Sequence, residues 1–180
     1  MQTSNAIKFV RRKDYRLVKE IGQGGFGKTV LLEDEEISQL FICKKYSPLQ
    51  SENKQDYFER FVSEIKMMYK VHHRNIVRIF NYYLYPKDFT GFILMDYVDG
   101  TTIDNFLRSN PDMINSIFLE TIEGFKYLQE QQILHRDIRP SNILVSNDGI
   151  VKIIDFGFGK QITADNDADK SISLNWYYSV

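Results

Sequence analysis

Two groups of residues have types and spacing suited to chemistry. The first is the glycine-rich run Ile21-Gly22-Gln23-Gly24-Gly25-Phe26-Gly27-Lys28-Thr29. Gly22, Gly24 and Gly27 make G-x-G-x-x-G, while Gly22 with Gly27-Lys28-Thr29 makes G-x-x-x-x-G-K-[ST]. Both patterns serve phosphate, because glycines let backbone N–H groups approach phosphate oxygens closely. The same run can also form a tight hairpin without a ligand. The second group is polar: His135-Arg136-Asp137-Ile138-Arg139-Pro140-Ser141-Asn142, with Asp155-Phe156-Gly157 beginning 13 residues after Asn142. Taken singly, these are a helix-ending turn with a surface ion pair and a turn after a strand.

Context separates the two glycine templates. A nucleotide-triphosphatase P-loop leads into a helix whose N-terminus faces the phosphates. Here the charged run Glu33 to Glu36 interrupts the apolar pattern, and the flanks read better as strands. The strand before the glycines is half polar, unlike a buried parallel strand. Val151 to Asp155 still fits the acidic strand end that a P-loop fold needs, so that alternative stays open.

With His135-Arg136-Asp137, Asn142 five residues after Asp137, and Asp155-Phe156-Gly157 in this order, the sequence resembles the protein kinase family, serine/threonine type. The resemblance covers about Tyr15 to Val180. It implies ATP- and magnesium-dependent phosphoryl transfer to serine or threonine hydroxyls of a protein substrate. Asp137 matches the residue that takes the proton of the attacking hydroxyl, and Asn142 and Asp155 match the magnesium ligands. Their amide and carboxylate oxygens suit that ion. Arg139 stands where the family usually has lysine beside the transferred phosphate, and Pro140 follows the serine/threonine pattern. Lys44, in Phe41-Ile42-Cys43-Lys44, matches the ATP-phosphate lysine. Glu64, 20 residues on, matches its glutamate partner. Period two turns only one of Lys44 and Lys45 inward, and Lys44 is the choice. Ile21, Gly22, Gln23, Gly24, Gly25, Phe26, Gly27, Val30, Ile42, Met95, Asp96, Val98 and Leu144 match the nucleotide surround. Two departures bear on affinity. Thr29 replaces the usual valine, leaving Val30 to serve through a small slip, and Ile42 replaces the usual alanine and adds bulk over the adenine.

The elements that must position these groups are legible from periodicity. Tyr15–Ile21, Thr29–Leu32 and Leu40–Lys45 read as a β-meander, and Ile76–Leu84 and Gly91–Tyr97 as two further strands. Glu52–Lys70 reads as a helix with Phe58, Phe61, Ile65 and Met68 on one stripe and Glu64 at its edge. Asp112–Gln131 reads as a long helix burying Ile114, Ile117, Phe118, Ile122, Phe125 and Leu128. Ile133-Leu134, Ile143–Val145 and Val151–Ile154 are short runs, the last two joined by the turn Asn147-Asp148-Gly149. The polar run Lys160–Asn175 reads as a loop. By the same resemblance, Arg136 and the loop acceptors Thr163, Ser171, Ser173, Tyr177 and Tyr178 imply a phosphorylation switch.

The expected architecture is α+β and kinase-like: an arm at 1–14, a five-stranded antiparallel N-lobe with one helix and the hinge at 15–98, and a partial, mainly helical C-lobe at 99–180. Composition narrows the alternatives. Across 180 residues the formal net charge is −1, giving no general pull toward nucleic acid or an anionic membrane. Cys43 is the sole cysteine, which excludes an internal disulfide and a cysteine-rich zinc site. No apolar run suits a membrane span or a signal peptide, so a cytoplasmic setting is expected. The family's larger lobe continues beyond the equivalent of Val180, so an exposed apolar patch with self-association is expected. A nucleotide- or protein-binding module without turnover, a P-loop hydrolase and a small-molecule phosphotransferase are the competing readings.

Overall fold

A computed structural model describes residues 13–24, 27–47, 54–135 and 137–154. Eight strands and three α-helices fall among them. Strands β1 (Arg16–Gly24), β2 (Gly27–Asp34), β3 (Gln39–Tyr46), β4 (Ile79–Tyr85) and β5 (Thr90–Asp96) form one antiparallel sheet in the order β1-β2-β3-β5-β4. Helix α1 (Lys54–Met68) supplies Phe58, Phe61, Ile65 and Met68 to the main core, as its spacing predicts. The second part holds β6 (Gly100–Thr102), α2 (Ile103–Ser109), α3 (Ile114–Glu130), β7 (Ile143–Ser146) and β8 (Val151–Ile153). Its sheet runs β6-β7-β8. Five strands with one helix, followed by a mainly helical part, match the expected fold class.

Three local readings change. Strand β1 does not keep period two, because its pairing with β2 shifts between Leu17 and Lys19 and again between Glu20 and Gly22. Each bulge re-aims the side chains after it, and Leu17, Val18 and Ile21 end up exposed. Strand β6 and helix α2 went unread, being three and seven residues long. Helix α3 buries Ile117, Thr121, Gly124 and Leu128, whereas Ile114, Phe118 and Ile122 are 54%, 61% and 47% exposed. The apolar residues on α3 span more than one face, so apolarity alone did not choose the buried one. The two small residues mark it: a Cβ on Gly124 would lie 2.6 Å from the Ile153 side chain and 3.2 Å from that of Asn75. The exposed apolar face expected of this part therefore exists, on the other side of α3.

The turn at Asn147–Gly149 forms as its residues dictate. The Gly149 N–H donates to Ser146 C=O, Gly149 has φ 76°, and the Ser146 N–H donates to Ile150 C=O. That is a hairpin turn followed by a left-handed glycine, which closes β7 onto β8.

The segment 71–77 joins the two parts. Ile76 bridges Ile153 in parallel, the Val77 N–H donates to Ile153 C=O (3.0 Å), and the Ile153 N–H donates to Asn75 C=O (2.8 Å). Asn75 is buried, and its amide nitrogen donates to Glu120 Oε2 (2.8 Å) and Val151 C=O (3.1 Å). Glu120 Oε2 also accepts from the Val151 N–H (2.8 Å), while Oε1 pairs with Arg74 at 3.2 Å. One α3 carboxylate thus satisfies both a buried amide and a strand N–H. Glu120→Ala leaves the Val151 N–H unpaired and the Asn75 amide with Val151 C=O alone, and is expected to lower stability by about 3 kcal/mol. Glu120→Gln keeps an accepting oxygen and is expected to cost about 1 kcal/mol. Urea denaturation of the two variants checks the difference, and equal losses would show that the two accepted bonds carry little.

Candidate active site

The glycine-rich run is the β1–β2 hairpin. Gly24 pairs with Gly27, and Gly25 and Phe26 lie outside the described residues. Gly27 has φ 144°, and a Cβ there would lie 1.8 Å from the Lys45 carbonyl oxygen. Only glycine lets β2 meet β3 at this point. The glycines lead into a strand rather than a helix, so the P-loop template lacks the helix N-terminus it needs. Lys28, the lysine of that template, pairs instead with Glu20 across the hairpin. Ile21, Gly22 and Gln23 are exposed on β1.

Register fixes which residues share a face, since directly paired residues on antiparallel strands point the same way. Thr29 pairs with Lys44, Leu31 with Ile42, Ile42 with Met95 and Lys44 with Ile93. Ile42, Ile93, Met95 and Tyr46 belong to the main core beneath the sheet. Lys44 shares that face and is half-buried. Lys45 is exposed on the opposite face, its ammonium 5.8 Å from the Phe92 ring centre. Val30 pairs with Cys43 and packs with Phe41 and Leu94 on the face away from Lys44. Val30 and Lys44 therefore face opposite sides of the sheet, and Thr29 shares the Lys44 face. Burial pushes the Cys43 thiol up, consistent with an inert core group.

Asp96 ends β5, its N–H donating to Arg78 C=O (3.0 Å) and its carboxylate accepting from the Arg78 N–H (3.2 Å). Val98 follows, half-buried, before β6 begins. Leu144 lies on the face of β7 opposite Ile143 and Val145, which fill the second core. Glu64 is half-buried on α1, three residues after the buried Phe61.

The polar loop before β7 is held by one imidazole and one amide. His135 is buried, with Nε2 at 3.0 Å from Ile154 C=O, and its Nδ1 accepts from the Asp137 N–H (3.3 Å). A carbonyl can only accept, so the proton sits on Nε2 and the ring is neutral. Asn142 is also buried, and its amide nitrogen donates to Asp137 C=O (2.9 Å) and Asp137 Oδ2 (2.8 Å). Both partners are acceptors, which turns the Asn142 amide oxygen the other way. The Ile154 N–H donates to Asn142 C=O (2.9 Å), tying the loop to the strand end. Arg139 Nε meets the same Asp137 Oδ2 at 3.2 Å. Oδ1 of the exposed Asp137 is the carboxylate oxygen that neither donor uses. Arg136, Asp155 and the 160–180 loop with its hydroxyl acceptors lie outside the described residues.

The buried His135, the Asp137 carboxylate held through one oxygen and the Ile154 backbone that bonds to both His135 and Asn142 lie inside the region that a comparison with known proteins covers. The protein kinase domain model matches residues 15–179. This chain belongs to the protein kinase domain family. It is 29% identical over 150 residues to a probable serine/threonine-protein kinase of Dictyostelium discoideum, covering 80% of this chain and 22% of that protein. It is 32% identical over 160 residues to the probable serine/threonine-protein kinase MRK1 homolog of Encephalitozoon cuniculi, covering 85% and 47%. It is 31% identical over 153 residues to the probable serine/threonine-protein kinase PknB of Lactococcus lactis, covering 83% and 24%. The kinase domain chain thus spans less than half the length of each of these relatives. No helix among its described residues is long and apolar enough to cross a membrane.

Tyr46 was not singled out in the sequence, although it lies on the Lys44 face of β3. Its ring stacks on Phe61 at 4.3 Å between centres and 10° between planes. Its hydroxyl is buried with no hydrogen-bond partner among the described residues, an arrangement that costs about 1–3 kcal/mol. Burial, then the charge of Glu64, pushes the Tyr46 phenol up to about 12. The sign follows from linkage. Above the ordinary phenol range, near pH 10, the unfolded chain loses this proton while the folded chain keeps it, so stability falls as pH rises from about 10 to 12. Denaturation at pH 9 and pH 11 should show the wild type losing about 1 kcal/mol more than Tyr46→Phe. Parallel losses would show that Tyr46 titrates normally.

Proposed function

We propose that the chain carries the phosphate-transfer site of a serine/threonine protein kinase, using ATP with magnesium and a protein hydroxyl as acceptor. The observation that carries this reading is the Asp137 carboxylate, fixed through Oδ2 by Asn142 and Arg139, with Oδ1 outside both contacts. A general base needs one oxygen oriented and one able to take a proton. In the proposed reaction the acceptor oxygen bonds to the γ-phosphorus as the bond from that phosphorus to the β,γ-bridging oxygen breaks. The hydroxyl proton passes to Asp137 Oδ1, and ADP leaves.

The remaining residues position and neutralise. Lys44 would meet the phosphates and Glu64 would hold Lys44. The β1–β2 hairpin would cover the phosphates with backbone N–H groups. Met95, Asp96 and Val98 would border the adenine, with Ile42 and Leu144 on its two sides. Asn142 presents an amide oxygen turned away from Asp137, a hard donor that suits magnesium, with Asp155 as the expected second ligand. Magnesium bound there would neutralise phosphate charge. The serine/threonine printed in the relatives' names and Pro140 support a hydroxyl acceptor of that type.

Substitution of the two lysines tests the assignment. Lys44→Met should weaken magnesium-ATP binding and transfer by at least about tenfold, while Lys28→Met leaves both within about twofold. Asp137→Asn should leave binding within about threefold and lower the transfer rate by about 10²–10⁴. Calorimetry and a peptide phosphorylation assay read the two effects separately. Loss of both activities in Lys28→Met alone would overturn the reading.

A further inference from the structure

The β3–α1 contact carries more than packing. Tyr46 lies two residues after Lys44 and on the same face of β3. It pairs in register with Gly91 of β5, and that glycine makes room for the helix, because a Cβ there would lie 2.7 Å from Phe61 Cε1. Phe61 therefore lies flat on Tyr46, which is 7% exposed. One helical turn further along α1 comes Glu64, on the side of the helix next to this stack. The Thr90 hydroxyl donates to the Tyr46 backbone carbonyl, which ties the strand on its β5 side as well. The ring is thus fixed by a strand and a helix, yet its hydroxyl ends in the contact without a partner. Phenylalanine would fill the same space without burying a donor.

We propose that Tyr46 is a positioning residue for Glu64. Its ring sets where α1 rests on β3, and its hydroxyl is the donor that draws the Glu64 carboxylate toward the face of β3 carrying Lys44. A carboxylate has room for several donors, so this bond and a bond from Lys44 are compatible. Relief of the buried hydroxyl biases the helix toward the arrangement in which Lys44 and Glu64 meet. The proposal rests on the kinase reading for the roles of Lys44 and Glu64. The Tyr46–Glu64 contact itself is open to measurement without nucleotide.

The test is a double-mutant cycle of Tyr46→Phe, Glu64→Gln and the double variant. The first readout is the folding equilibrium of the nucleotide-free chain in urea. The effect of removing the hydroxyl should differ by at least about threefold between the wild-type and Glu64→Gln backgrounds. Additive effects overturn the proposal. The second readout is magnesium-ATP affinity, at a temperature where every variant is folded. Tyr46→Phe should weaken it by about tenfold, and by much less once Glu64 is already replaced. Unchanged affinity in Tyr46→Phe overturns the positioning role even if the first readout shows coupling. If the wild-type chain binds no magnesium-ATP, the kinase reading fails, and the urea cycle alone decides whether Tyr46 holds Glu64.

Discussion

The buried amide of Asn75 is the constraint on which the rest depends. A side-chain amide out of water must find acceptors, and it finds them on α3 and β8 at once, through Glu120 and the Val151 carbonyl. Its backbone carbonyl receives the Ile153 N–H, so β8 is fixed from two sides of one residue. The next residue, Ile154, then offers its N–H to Asn142 and its carbonyl to His135. Asn142 and His135 both hold Asp137, together with Arg139. A short path of hydrogen bonds therefore runs from the segment that joins the lobes to the carboxylate proposed as the base. None of its members relies on an exposed ion pair, which would be weak and screened by salt.

That path explains why neutral groups grip the acid. The neutral His135 ring orients the loop through the Asp137 backbone N–H, and Asn142 orients the carboxylate with one amide nitrogen. Arg139 is the one cation in contact among the described residues, and it is well exposed, so water shares its field. Position is set by buried neutral groups, while charge is kept at the solvent side.

Much of this was legible in the residues, for physical reasons that can be named. Helix α1 has one clean apolar stripe, and β3 carries two adjacent lysines that period two must separate. Asn147-Asp148-Gly149 has only one good backbone solution. Helix α3 misled because Ile114, Phe118 and Ile122 look like a core face, while the buried face is marked by Thr121 and Gly124. Small residues signal close approach, a signal that hydrophobic pattern alone misses. Strand β1 misled because bulges leave no trace in a period-two reading. Tyr46 and Glu120 were invisible for a different reason. Their importance lies in partners 15 and 45 residues away, and no local pattern joins them.

The departure at Arg139 follows from the same geometry. A lysine at this position has one nitrogen to divide between the Asp137 carboxylate and a phosphate. Arginine meets Asp137 Oδ2 with Nε, at the base of its planar group, and its two terminal nitrogens have no partner among the described residues. A guanidinium presents five donors in a fixed fork, so it can restrain the aspartate and, on the proposed reading, face a phosphate oxygen together. The larger group is therefore accommodated by a division of labour within one side chain. Ile42 shows a parallel accommodation: its added bulk packs against the main core in register with Met95. In both places the unusual residue is anchored by a contact of its own.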